Sequence, residues 1–266
     1  MASGNESIKK TLLVALALCL VCSVFVAAAA VGLKPIQKAN KDLDRKQNIL
    51  AAAGMLEPGK SVDEIFKNVE TRIVNLKTGD FATPAEIKEA GINPATYDQK
   101  AAAKNPKLSI ALPADKDPAS IKRRAKYAAV YIVKSGDKID RIVLPVHGYG
   151  LWSTMYGFMA LQNDFSTVVG FGFYDQGETP GLGGEVDNPN WKALWKGKEV
   201  YNDQGQAVIA LVKGGVSKSD PDASHKVDGL SGATLTSRGV THLVQYWLGD
   251  DGFGPFLAKL RSGGEK

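Results

Sequence analysis

Thiols are almost absent from this 266-residue chain: its two cysteines, Cys19 and Cys22, both lie in its most apolar stretch. Everything after residue 22 is free of cysteine, which excludes a disulfide framework, a Cys-based zinc site and a Cys nucleophile there. Histidine is equally scarce, and His147, His225 and His242 show no metal-ligand spacing. No Gly-x-Ser-x-Gly elbow occurs, which disfavours a Ser-His-Asp hydrolase. No Gly-x-Gly-x-x-Gly follows a strand, so a conventional dinucleotide site is disfavoured, and the one Gly-Lys-Ser, Gly59-Lys60-Ser61, follows a charged helical stretch rather than a strand, so a P-loop is disfavoured too. No catalytic residue and no metal site are expected. A charge excess of one sign is also lacking: 33 basic residues against 28 acidic ones give +5, spread along the chain. Without a basic block interleaved with aromatics, no nucleic-acid partner is expected.

What is present begins with one long apolar run. From Thr11 to Leu33 there is no charge, and all but Thr11, Ser23 and Gly32 are apolar. As a helix these residues reach roughly 34 Å, against a bilayer core of about 30 Å. The direct reading is a single-pass anchor at 11–33 behind a short tail, 1–10. The competing reading is a cleaved signal peptide, with Ala28, Ala29 and Ala30 as small residues at the cleavage site; the run exceeds a signal core of ~7–15 residues. Lys34, Lys38, Lys41, Arg45 and Lys46 after the run outnumber Lys9 and Lys10 before it, so the flanking charge alone favours a cytoplasmic domain. Cys19 and Cys22, three apart on one helix face, read first as packing residues toward lipid or a partner helix, with a soft metal as the alternative.

Beyond the anchor the fold class reads as α+β. Residues 36–53 continue as a charged helix that ends near Gly54. Ser61-Val-Asp-Glu64 has capping-box form and opens a short helix. Arg72–Leu76 reads as a strand before a turn at Thr78-Gly79-Asp80, and 82–120 as an irregular stretch with short helices. The core is β-rich: 127–133 and 139–146 flank Ser135-Gly-Asp-Lys138 as a hairpin, with further strands at 153–161, 166–174 and 206–213. Helices fit 188–196, opened by Asn188-Pro189, and 235–248. Strands run together while helices stand apart, the α+β pattern, and no fixed-period repeat is present. The expected layout is a membrane-proximal α/β region at 34–125 and a second domain at 126–266.

Three glycine-rich loops carry the chemistry: His147-Gly148-Tyr149-Gly150, Gly177-Glu178-Thr179-Pro180-Gly181-Leu182-Gly183-Gly184, and Asp228-Gly229-Leu230-Ser231-Gly232-Ala233-Thr234-Leu235-Thr236-Ser237. In the third, small residues lead straight into an amphipathic helix. Its glycines permit close backbone approach, and a helix start offers unpaired N–H groups and a positive dipole end, which suit a phosphate. Lys226 and Arg238 add positive charge nearby. The plainer alternative is that Ser231 or Thr234 only caps the helix. His147 reads as a hydrogen-bonded loop residue or a contact to a ligand edge; Trp191 and Trp195, four apart, read as core.

The segment Asp228-Gly-Leu-Ser231-Gly-Ala-Thr234 is similar to the attachment signature of the family of covalent FMN-binding domains. Together with Glu178-Thr-Pro-Gly-Leu-Gly183, His147-Gly-Tyr-Gly150 and the N-terminal anchor, the chain resembles the C subunits of sodium-translocating NADH:quinone reductases over essentially its whole length. The resemblance implies FMN in phosphoester linkage to Thr234. It also implies a cofactor-binding set of Ser231, Gly232, Ala233, Leu235, Thr236, Glu178, Thr179, Pro180, Gly181 and Leu182, with Asp228 and Gly229 in the segment read by a flavin transferase. It implies a bacterial inner-membrane, single-pass protein with a periplasmic domain, against the flank-charge count. Other subunits of the translocase complex would be its partners, with NADH oxidised and ubiquinone reduced elsewhere in that complex and no independent activity in this chain. The alternatives are the G subunit of an Rnf-type electron-transport complex, which carries the same signature, and a tethered anion-binding module without redox work.

Overall fold

The computed structural model describes residues 8–217 and 219–263, so the first seven residues of the expected N-terminal tail lie outside it. The chain divides into two compact units, residues 1–44 and 45–266. Helix α1 runs Ile8–Ala52 and contains Pro35, whose missing N–H leaves one intrahelical hydrogen bond unmade. It is the one described helix long and apolar enough to cross a membrane. Its stop is chemical as expected: Gly54 adopts φ 65°, the left-handed conformation that ends many helices.

In the second unit the elements follow in the order α2 (Val62–Phe66), β1 (Val69–Asn75), β2 (Asp80–Phe81), α3 (Pro84–Glu89), α4 (Gln99–Lys104), β3 (Ser109–Ala111), β4 (Arg123–Ala125), β5 (Tyr127–Ser135), β6 (Lys138–Tyr149), β7 (Thr154–Gln162), β8 (Val168–Asp175), α5 (Pro189–Ala193), β9 (Ala210–Val212), β10 (Lys226–Asp228), α6 (Thr234–Leu248) and α7 (Gly254–Arg261). Ser61 accepts from the Glu64 N–H, one arm of the expected capping box; the reciprocal box forms instead at Thr83 and Glu86. The strand expected at 206–213 and the helix at 188–196 are each shorter than their patterns suggest, because isolated bridges and turns occupy the remainder.

Six strands form one antiparallel sheet in the order β2-β1-β5-β6-β7-β8. β5 and β6 meet in a two-residue turn whose Gly136 has φ 61°, and β6 pairs with β7 from Arg141↔Gln162 to Tyr149↔Thr154. Both faces of the sheet are buried. Ala128, Val130 and Ile132 of β5 pack on one side with Leu144 of β6 and with Leu243 and Trp247 of α6. Ala129, Tyr131 and Val133 pack on the other with Ile65 and with Ile49 and Leu50 from the last turns of α1. This two-sided burial explains why Tyr127–Val133 reads as an unbroken apolar run rather than an alternation. α6 lies on β6: the Trp247 indole N–H donates to the His147 carbonyl at 2.6 Å, and Gly148 leaves no room for a β-carbon against Leu243.

Candidate functional site

The third glycine loop connects a small parallel ladder to α6. β10 pairs with β9 through Lys226↔Ala210, Val227↔Leu211 and Asp228↔Val212. The Gly229 N–H then donates to the Val212 carbonyl at 2.8 Å, and a β-carbon at Gly229 would meet that same oxygen. Gly232 takes φ 72° to turn the chain into the helix. Neither Ser231 nor Thr234 is the N-cap: that position is Ala233, which supplies no side-chain acceptor, and Thr234 is the first helical residue. The first-turn N–H groups of a 15-residue helix are thus left without a side-chain cap, beside the positive end of its dipole.

Four hydroxyls lie on this loop and first turn, and the fold sorts them into two pairs. Thr236 is buried and donates to a Glu178 carboxylate oxygen at 2.7 Å. Ser237 is buried and accepts from the Leu230 N–H at 2.9 Å. Ser231 and Thr234 are exposed. Behind the loop, the Asp228 carbonyl accepts from the Trp191 indole at 2.9 Å, and its carboxylate accepts from the Val216 N–H at 2.7 Å. Trp191 is therefore a core residue, as read, that also holds the loop in place.

The three glycine loops converge on Glu178. Its carboxylate accepts from the N–H groups of Leu151 at 3.1 Å, Trp152 at 3.0 Å and Ser153 at 3.1 Å, from the Ser153 hydroxyl at 3.3 Å, and from Thr236. Burial pushes this carboxyl upward, but the Thr236 hydroxyl and the three N–H donors outweigh it and hold the group below the usual glutamate range. Close backbone approach makes the convergence possible. A β-carbon at Gly150 would lie 2.6 Å from the Glu178 carboxylate, and one at Gly239 would lie 2.5 Å from the Tyr149 carbonyl oxygen.

The Thr179–Leu182 segment is an exposed turn in which the Leu182 N–H reaches the Thr179 carbonyl at 3.1 Å and Gly181 has φ 75°. Leu182 comes within 3.0 Å of where a β-carbon on Gly232 would stand, so the second and third loops touch. Tyr149, Leu151, Trp152, Leu182 and Leu235 are all exposed apolar residues on these loops, Trp152 the most at 66%.

Other expected residues fall elsewhere. Lys226 is bound by Asp220 at 2.8 Å and Asp222 at 3.4 Å, so its charge is already matched; Arg238 is exposed on the second turn of α6. His147 is a strand residue, not a loop one. Its ring is buried, stacked on Tyr156 at 5.3 Å and tilted against Trp247 at 4.9 Å. Burial, helped by Lys100, pushes it down to about 4. Trp195 is fully buried, and Cys19 and Cys22 are exposed on α1. Among the described residues no three His, Cys, Asp or Glu side chains gather in a metal-binding group. Ser153 both donates to Glu178 and accepts from the Gly177 N–H at 2.8 Å, a role for which the sequence carries no signal.

Comparison with known proteins gives the family. The profile of the FMN-binding domain family matches residues 150–249, which contain Glu178, Thr234 and Thr236. The C subunit of the Na(+)-translocating NADH-quinone reductase of Pseudomonas aeruginosa is 54% identical over 265 residues, covering 98% of this chain and 99% of that protein. Its counterpart in Vibrio campbellii is 53% identical, covering 99% of each. The crystal structure of NqrC from Shewanella oneidensis superposes with a TM-score of 0.75 at 39% identity, covering 84% of this chain and 99% of that one. With identity above half along nearly its whole length, this chain belongs to the family of C subunits of the Na(+)-translocating NADH-quinone reductases.

Proposed function

We propose that this chain is a membrane-anchored flavoprotein subunit that carries FMN in phosphoester linkage to Thr234 and passes electrons within a sodium-translocating NADH:quinone reductase. The observation that carries the attachment site is the exposed Thr234 hydroxyl at the uncapped start of α6. The residues present fit the group. Unpaired N–H groups and the helix dipole favour a phosphate at Thr234. Ser231, Gly232 and Ala233 are small, and Gly232 turns at positive φ beside Leu182. Leu182 and Leu235 offer exposed apolar surface for the flavin ring, with Thr179, Pro180 and Gly181 forming the turn that presents Leu182. Thr236 and Glu178 build the frame beneath.

When bound, FMN supplies one-electron redox chemistry at a fixed point; the protein contributes position and electrostatics. A phosphoester suits a carrier that faces an open compartment, because a dissociable flavin would be lost by dilution. Asp228 and Gly229 form the part of the segment that a flavin transferase reads, and the transferase is a partner in maturation only. The lasting partners are the other subunits of the complex. In this reading residues 11–33 cross the bacterial inner membrane once, 34–125 form the membrane-proximal region, and 126–266 form the flavin-bearing domain on the periplasmic side. No NADH oxidation is expected from the chain alone.

The test is mass spectrometry of the full chain co-expressed with a flavin transferase. An FMN-sized adduct on the peptide containing Thr234, absent in Thr234→Val, supports the reading. No adduct, in cells that flavinylate a control protein, overturns it in favour of a tethered anion-binding module. Sodium-dependent electron delivery to quinone, rather than exchange with a ferredoxin, separates the reductase from an Rnf-type complex.

A further inference from the structure

Glu178 is only 5% exposed, and hydrogen bonds from a hydroxyl and from backbone N–H groups are what the fold sets against its burial. Such a carboxylate is costly to bury unless donors surround it. Here five do so: three consecutive N–H groups at 151–153 and the hydroxyls of Ser153 and Thr236. An ionised carboxylate has about four lone-pair sites, so both oxygens are already saturated by the protein itself. A group in that state has nothing left with which to bind a ligand. Its donors come from two separate places, the loop after β6 and the first turn of α6, while Glu178 itself stands on the loop that carries Thr179–Leu182.

Building on the flavin reading above, we propose that Glu178 is a positioning residue, which touches no flavin but ties the turn bearing Thr234 to the two loops that flank it. Thr236 is the single link from the carboxylate to α6, one residue beyond Leu235 and two beyond the attachment position. The loops themselves are spaced for this contact: Gly150 and Gly183 both stand where a β-carbon would strike the Glu178 carboxylate. The clamp requires a carboxylate in particular. A carboxamide of the same size would turn an NH2 group toward a ring of donors, so Glu178→Gln breaks the clamp as surely as Glu178→Ala.

Two measurements on the full-length protein test this. In the protein without flavin, amide hydrogen exchange across 151–153 and 237–240, the first hydrogen-bonded amides of α6, is compared among wild type, E178Q, T236V and T236S. E178Q is expected to speed exchange on the order of tenfold or more in both segments, as loss of hydrogen bonds to a buried charged group implies. T236V is expected to speed it in 237–240, and T236S to restore wild-type protection because it keeps the hydroxyl. In the flavin-loaded fraction, T236V is expected to show lower flavin fluorescence anisotropy and a shifted midpoint potential, both restored in T236S. Unchanged exchange at 151–153 in E178Q, or anisotropy and potential of T236V equal to wild type, would overturn the proposal. T236V keeps it testable should E178Q fail to fold. If the wild type carries no flavin, the functional reading fails, while the exchange data from unloaded protein still judge the clamp.

Discussion

At Gly183 a β-carbon would fall 2.6 Å from the Thr236 hydroxyl oxygen and 2.9 Å from a Glu178 carboxylate oxygen, whereas at Gly181 nothing lies within 4 Å but φ is 75°. Two glycines in one loop are thus required for different reasons, one by space and one by backbone conformation. Gly181→Ala is expected to cost about 1 kcal/mol, the strain of a left-handed residue alone. Gly183→Ala is expected to cost roughly 1–3 kcal/mol from overpacking and to disturb the Glu178–Thr236 bond; urea titrations of both variants check the order. His147 gives a pH prediction. Its ring is neutral when folded, with a pKa of about 4, and takes a proton near 6.5 once unfolded. Across that interval the unfolded chain binds the extra proton, so stability falls as the pH drops from 6.5 toward 4, by about 2 kcal/mol at pH 5. His147→Phe should flatten the stability profile between pH 6.5 and 4.5, and denaturation midpoints across that range test it. Nothing in the local sequence hints at this burial. His147 stands beside a glycine-rich motif that reads as a loop, and the aromatic partners that enclose it, Tyr156 and Trp247, come from other elements.

Among the elements, α6 joins the third glycine loop to the sheet. It carries Thr234 and Thr236 at its start and packs Leu243, fully buried, against Gly148 of β6. Leu243→Ala is expected to cost about 2–5 kcal/mol, measured by thermal or urea unfolding. The helix is legible from its amphipathic pattern and from the small residues before it, as is the hairpin of β5 and β6 from two apolar runs around Gly136. The turn before it is legible through Gly232, but not its missing cap, because Ser231 and Thr234 are both capping types and only the structure puts Ala233 at that position. Other elements leave no trace that periodicity can read. β10 is three residues long and takes its extended form from parallel pairing with β9, the one part of the expected 206–213 strand that forms. α7 is short and opens with Gly254-Pro255, a pair that reads as a turn. Its helical state rests on tertiary burial of Phe256, Leu257 and Leu260. The convergence on Glu178 is of the same kind, because hydrogen bonds between loops 25 to 58 positions apart have no local signature.

In the whole molecule, the boundary between its two units falls inside α1, and the last turns of that helix belong to the core of the second. A chain that starts at Arg45 keeps Ile49 and Leu50, both fully buried; one that starts at Met55 loses them. The shorter chain is expected to be less stable by about 4 kcal/mol, from two buried aliphatic side chains at roughly 1.5–3 kcal/mol each, and paired urea titrations decide it. The sheet is also stitched across long stretches of chain: β1 pairs in full with β5, from Val69↔Val133 to Asn75↔Tyr127. The far end closes back on this region. Lys259 of α7 donates to the Thr78 carbonyl at 2.9 Å, Phe256 meets Phe81 edge-on at 5.1 Å, and Arg261 reaches the Phe165 carbonyl at 3.2 Å. Such distant pairings form late and slowly, because loop-closure entropy is spent before the contacts return it. A ribosome that has released α6 but not α7 therefore holds a chain whose Thr234 is already made while the fold that presents it is still open. Synthesis has to pass α7 before the domain can shut.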